Sequence, residues 1–95
     1  MLDFKQALSI VRDKYPRNYI RYGYDTNDKY IVFIVSVDDK YIPLDVTMNI
    51  LVDRITGTIE YTNAVGILKY VDLNSKPILV DLSKDDYEKT FGPLD

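Results

Sequence analysis

Adjacent carboxylates are the residues whose type and spacing could do acid–base chemistry in this chain. They occur as Asp38-Asp39 and as Asp85-Asp86. Two carboxyl groups flanking a substrate can share general-acid and general-base work, as in glycoside hydrolysis. The surroundings of both pairs indicate plainer roles. Asp38-Asp39-Lys40 separates two apolar runs and reads as a loop. Asp85-Asp86 follows Ser83 in the first turn of a short helix, where acids offset the partial positive charge of the helix end. Asp25-Thr26-Asn27-Asp28-Lys29 has the opening of a calcium loop, but Lys29 stands where a third oxygen ligand is needed, and the glycine and closing glutamate of such a loop are missing. It is read as a turn. Gly23, Gly57, Gly66 and Gly92 are isolated, so no glycine-rich phosphate loop is formed. The chain has no His and no Cys. That removes catalytic triads, thiolate nucleophiles, disulfides and His- or Cys-bearing metal sites. The expectation is a non-enzymatic protein with no cofactor and no metal.

The tyrosines are the unusual feature. There are nine, and Tyr19, Tyr22, Tyr24 and Tyr30 cluster beside Arg17 and Arg21. Tyr and Arg are enriched at binding hot spots, because a phenol offers apolar area, a polar tip and few rotatable bonds. Aromatics interleaved with basic residues can also stack nucleobases. The plainer reading is that these are strand residues of high β-propensity, half-buried against their neighbours.

The elements that must position these residues follow from periodicity. A helix is predicted from about Phe4 to Lys14, with Asp3 as its cap and Gln6 as the reciprocal half of a capping box. Phe4, Ala7, Leu8, Val11 and Tyr15 make one apolar stripe, and Pro16 stops the helix. Four strands follow, at Tyr19–Tyr24, Tyr30–Val37, Leu44–Val52 and Thr58–Thr62. Pro43 is suited to a strand start or an edge. In the third strand, Leu44, Val46, Met48, Ile50 and Val52 face one way. Asp53-Arg54-Ile55-Thr56-Gly57 turns the chain, and Gly57 is expected at positive φ. Val65–Val71 is left irregular or weakly helical, Lys76–Leu82 reads as a short strand, and Ser83 opens a helix ended by Gly92 and Pro93. The predicted fold is a single α+β domain over 1–95. Its N-terminal helix packs on a four-stranded antiparallel sheet in chain order, followed by a short C-terminal strand and helix.

Ile31, Val32, Phe33, Ile34 and Val35 are consecutive and require cover on both faces of the sheet. The first helix can supply one. The other falls either to residues 65–91, with Leu68, Val71, Ile78, Val80, Tyr87 and Phe91 as the inner side, or to a second chain. The intramolecular answer is the expectation, because those apolar residues also need burial. The surface then left for a partner is the N-terminal edge, with Arg17, Tyr19, Arg21, Tyr22 and Tyr24.

Length and charge bound these readings. With 95 residues, about 65% of the unfolded surface can be buried, so a core needs no staples. Net charge is −3. Residues 1–30 hold six basic and four acidic side chains, net +2, while residues 31–95 hold six and eleven, net −5. An acidic chain is a poor general nucleic-acid binder. No 20-residue apolar run and no basic start followed by an apolar stretch occurs, so a cytoplasmic location away from membranes is expected. The scarcity of Ala against the abundance of Ile, Asp, Tyr and Lys suggests a low-GC bacterial or phage genome.

Val52-Asp53-Arg54-Ile55-Thr56-Gly57-Thr58-Ile59 matches the pattern V-D-x-x-T-G-x-I. From Phe4 to Tyr61 the chain resembles the PepSY-type domain, which has a short helix, antiparallel strands and a closing hairpin of this pattern. The resemblance implies that fold and an association with inhibition of peptidases. Ile55 departs from the polar residue common there, which implies a covered turn. Small bacterial immunity proteins of similar size are also resembled, through a helix, a curved sheet and a Val-Asp-x-x-x-Gly hairpin. The functional expectation is a small protein-binding module of inhibitor or immunity type, with an unidentified protein partner. It is expected as a monomer, with a homodimer as the alternative state. Two other classes stand beside it: a nucleic-acid accessory protein using Arg12, Lys14, Arg17 and Arg21, and a homo-oligomeric phage structural component.

Overall fold

The computed structural model describes residues 1–26, 29–37, 47–63, 65–71 and 75–93. Helix α1 spans Phe4–Lys14, as its sequence periodicity requires. The Gln6 backbone N–H donates to the Asp3 carboxylate at 2.8 Å, and the Asp3 N–H donates to Gln6 Oε1 at 2.9 Å. Both halves of the capping box are therefore made, which satisfies two donors that a helix start leaves open. The last helical bond runs from the Tyr15 N–H to the Val11 carbonyl, one residue before Pro16.

The strands are β1 (Ile20–Asp25), β2 (Tyr30–Ser36), β3 (Thr47–Asp53), β4 (Ile59–Thr62) and β5 (Ile78–Leu79); helix α2 covers Lys84–Phe91. They form one antiparallel sheet in the order β4-β3-β2-β1-β5. Four strands lie in chain order, as predicted. The fifth returns to the free side of β1, so β1 is not the sheet edge that the sequence suggested. Residues 38–46, including Asp38, Asp39, Pro43, Leu44 and Val46, lie outside the described residues, as do Asn27 and Asp28.

Alternation along the strands sorts the core into two faces. Ile20, Ile31, Phe33, Val35, Ile50 and Val52 are buried with Ala7 and Val11 under α1. Val32, Ile34 and Leu51 are buried on the opposite face. At about 1.5–3 kcal/mol for each buried aliphatic or aromatic side chain, the six strand residues under α1 outweigh the three opposite and make the main core.

The second face is closed from within the chain. Ile67, Tyr70 and Val71, in and after a 3₁₀ turn at Gly66–Lys69, pack on it together with Tyr22, Tyr24 and Tyr30. Val71 is on the inner side as expected, but Leu68 is 68% exposed, because a 3₁₀ turn repeats every three residues, so Ile67 and Tyr70 share the inner face and Leu68 falls off it. Val80 packs in the core under α1, and Ile78 stands opposite Gly23, whose missing side chain would face Phe4 and Phe33. The predicted inner set is thus split by the two-residue period of β5, which instead places Leu79 beside Tyr22.

The β3–β4 turn holds as read, with Gly57 at φ 75°. Asp53 Oδ1 accepts the N–H groups of Ile55 and Thr56 at 2.8 and 3.1 Å. The turn is covered on the Gly57 side by Ile10 and Leu2. Ile55 itself is 76% exposed, against the expectation that it marks the covered side. Among the described residues, no helix is long and apolar enough to cross a membrane.

Candidate functional site

The five residues expected at a partner-binding edge occupy three different environments. Arg17 and Tyr19 are exposed at the corner where the chain enters β1. This corner is stitched to the end of β2: the Tyr19 N–H donates to Ser36 Oγ at 3.0 Å, the Ser36 N–H to the Tyr19 carbonyl at 2.8 Å, and Asn18 Nδ2 to the Ser36 carbonyl at 2.6 Å. Arg21, in contrast, is only 1% exposed. The register of β1 on β2 shifts between Ile20 and Tyr22, so Arg21 sits at a bulge, and β5 crosses the same stretch with the Val80 N–H donating to the Arg21 carbonyl at 3.2 Å. Arg21 is therefore withdrawn from the proposed surface. A bulge re-aims one side chain without any residue-type signature here, which is why alternation misplaced it.

Tyr22 and Tyr24 are half-buried on the second face and do come together. Their rings meet edge to face at 5.8 Å between centroids. Tyr22 also meets Tyr87 at 5.5 Å and Phe91 at 5.8 Å, both edge to face, and Tyr87 lies 4.8 Å from Phe91. Edge-to-face rings at these separations gain about 0.5–1.5 kcal/mol beyond their buried area. The cluster is thus built from β1 and α2. The helix is started by Ser83, whose Oγ accepts the Asp86 N–H at 3.0 Å and donates to Asp86 Oδ2 at 2.8 Å. Asp85 and Asp86 serve this helix start, in keeping with the capping role read from the sequence. Tyr87 and Phe91 then fall one turn apart on the face turned to Tyr22. A second pair, Tyr30 and Tyr70, meets at 5.3 Å on the same side of the sheet.

Burial pushes the Tyr22, Tyr24 and Tyr87 phenols above their ordinary range, reinforced for Tyr22 and Tyr24 by the neighbouring phenols. The cluster is therefore neutral at physiological pH, a set of ring surfaces and hydroxyl donors rather than a base or a nucleophile. Phe91 caps it and is 46% exposed. Sequence reasoning placed Tyr87 and Phe91 inside the cover but not at the site; their i,i+4 spacing was the available signal. Among the described residues, no group of three or more acidic side chains is gathered as a metal site.

The basic residues are dispersed. Arg12 pairs with Asp81 at 2.8 Å, and Asp81 also accepts the Ile20 N–H at 2.9 Å, so this ion pair ties α1 to the start of β1. Lys14 lies 5.7 Å from the Tyr61 ring centroid, and the Tyr61 hydroxyl is hydrogen-bonded to that of Tyr15. That bond lowers Tyr61 below the ordinary phenol value, with Lys14 adding to the effect, while burial and the same bond push Tyr15 up to about 12. Comparison with known protein families, with curated proteins and with solved structures finds no match to this chain.

Proposed function

We propose that the chain is a small non-enzymatic protein-binding module of inhibitor or immunity type, of bacterial or phage origin, and that it engages its partner through the aromatic cluster on the second face of the sheet. The observation that carries this reading is Phe91, a large apolar ring half open to solvent on top of three packed tyrosines. Exposed aromatics held by a rigid aromatic base lose little entropy on binding and desolvate readily, which is the pattern of an interface hot spot. The likeness of the Val52–Ile59 hairpin to the PepSY-type pattern supports the inhibitor class. Nucleic-acid binding through Arg12, Lys14, Arg17 and Arg21 is less favoured, since Arg12 is paired with Asp81 and Arg21 is buried.

A photoreactive benzoyl-phenylalanine in place of Phe91, irradiated in an extract of the source cells, should give a discrete protein adduct. The same probe in place of the exposed Lys5 on α1 should not. With the adduct identified and purified, Tyr87→Ala and Phe91→Ala should each weaken binding by about 1–3 kcal/mol while the melting curve stays cooperative. Identical adducts from both positions, or unchanged affinity in both variants, would remove this face as the binding site.

A further inference from the structure

The two edges of the sheet are not alike. β5 is two residues long, preceded by Pro77 and followed by Val80 and Asp81, whose N–H groups bond back to the Arg21 and Ile20 carbonyls of β1, so that edge is blunt. On the other side, no strand among the described residues lies beyond β4. The register shows which backbone groups β4 turns away from β3. The Asp53 N–H donates to the Thr58 carbonyl at 3.0 Å, making 53/58 a bonded pair. Pairing alternates, so Glu60 opposite Leu51 and Thr62 opposite Asn49 turn their groups toward β3. Ile59 and Tyr61, opposite Val52 and Ile50, turn their N–H and C=O groups outward.

The side chains around this edge are unusually apolar. Ile55 in the turn before β4, Tyr61 within it, and Val65 and Leu68 just after it are all exposed. Natural edge strands are commonly guarded by lysine, proline, bulges, charge or shortness; β4 has no lysine, proline or bulge, and its guards are its four-residue length and Glu60. Its one charge is Glu60, at the centre of the edge and on the second face, where it helps hold the Tyr30 phenol above its ordinary range. On the first face the Tyr61 ring is held by Tyr15, with Lys14 beside it.

We infer that the outer edge of β4 is a strand-addition site for an extended segment of a partner protein. The added strand would pair with the backbone of Ile59 and Tyr61, set a basic side chain opposite Glu60 and lay apolar side chains against Ile59 and Tyr61. The one charge of β4, Glu60, selects a basic segment as the occupant. A second copy of the chain, in the register that lets Ile59 and Tyr61 exchange bonds, would place Glu60 against Glu60, and like charges directly opposite across strands are destabilising. A basic side chain on the other face would meet Lys14. This surface lies apart from the aromatic cluster and goes beyond the reading above.

The probe is a short blocked peptide alternating lysine and valine, with a glutamate–valine peptide as control. Binding is followed by NMR and amide exchange on the full chain. The lysine peptide should shift the Ile59 and Tyr61 amides and slow their exchange by about tenfold or more; the glutamate peptide should do neither. Tyr61→Pro removes an outward N–H without touching the β3 ladder and should weaken binding at least about tenfold, whereas Tyr61→Thr, which keeps the N–H, should not. Glu60→Lys should reverse the preference between the two peptides, which keeps the test decisive if the proline variant folds poorly. Equal binding of both peptides, shifts confined to Tyr22, Tyr87 and Phe91, or no shift at all would overturn the edge site, and none of these outcomes counts against the aromatic-face reading, which has its own test. A concentration-dependent dimer abolished by Tyr61→Pro would overturn the proposed occupant.

Discussion

Gly23 lies directly beneath the ring of Phe4. A Cβ at position 23 would stand 2.9 Å from Phe4 Cε2, 3.0 Å from Phe33 Cδ1 and 2.7 Å from the Val32 carbonyl oxygen. The first turn of α1 can therefore approach the sheet only because β1 has no side chain there, and the Phe4 and Phe33 rings meet at 5.0 Å across the gap. Gly23→Ala should destabilise the fold by about 2–3 kcal/mol through overpacking against a backbone that cannot yield. For a domain of this size that is a fall in Tm of about 10–20 °C. A thermal melt within a few degrees of the parent would show that α1 can lift from the sheet at no cost.

The β3–β4 turn makes a second demand for glycine, of a different kind. Gly57 has φ 75°, its N–H donates to the Asp53 carbonyl at 2.8 Å, and a Cβ would stand 3.2 Å from Ile10 Cδ1. A β-branched side chain resists this conformation most, while Asn tolerates it. Gly57→Val should cost about 2–3 kcal/mol and Gly57→Asn about 1 kcal/mol. Urea denaturation of the two variants separates the outcomes; equal losses would assign the cost to the Ile10 contact instead of the backbone.

What could be read from the sequence was whatever local chemistry determines. The capping box at Asp3 and Gln6, the stop at Pro16, the Asp53–Gly57 turn and the Ser83 cap depend on neighbours within a few residues, and each is where the residues place it. The aromatic cluster was half legible: Tyr22 and Tyr24 were singled out, but their partners Tyr87 and Phe91 arrive from over sixty residues away. Arg21 was misplaced because a register shift undoes the period-two rule without a residue-type mark. The role of Arg54 was invisible, since nothing local distinguishes a turn arginine that is buried from one in solvent.

Arg54 joins three segments. Its guanidinium pairs with Asp25 at the end of β1 and donates to the Leu2 carbonyl at 3.4 Å, while its backbone accepts from Leu2 and donates to the Lys29 carbonyl. The Arg54 side chain is almost fully buried, while about 32% of the Asp25 side chain stays open to solvent. A pair with one partner withdrawn from water is screened less by salt than a fully exposed pair and couples more strongly. A double-mutant cycle with Asp25→Ala and Arg54→Met should give a coupling of about 1–3 kcal/mol that changes little between low and high salt. A value that vanishes in high salt would reclassify the contact as an exposed ion pair of little worth.

The last expectation concerns acid. The Asp53 carboxylate is held below its ordinary value, chiefly by the N–H groups of Ile55 and Thr56, with Lys29 at 3.6 Å assisting. The folded chain keeps this carboxylate ionised at pH values where the unfolded chain has already taken up a proton. Unfolding then binds the extra proton, so the contribution is complete above the unfolded value of about 4 and is lost as pH falls through the lower, folded value. Asp53→Asn retains a side-chain oxygen that can accept the two turn N–H groups but no longer titrates. Its unfolding free energy, measured in urea from about pH 7 down to about pH 2, should therefore fall less steeply below about pH 4 than that of the parent. Parallel acid limbs in the two proteins would mean that other carboxylates govern acid unfolding and that the Asp53 turn contributes equally in both charge states.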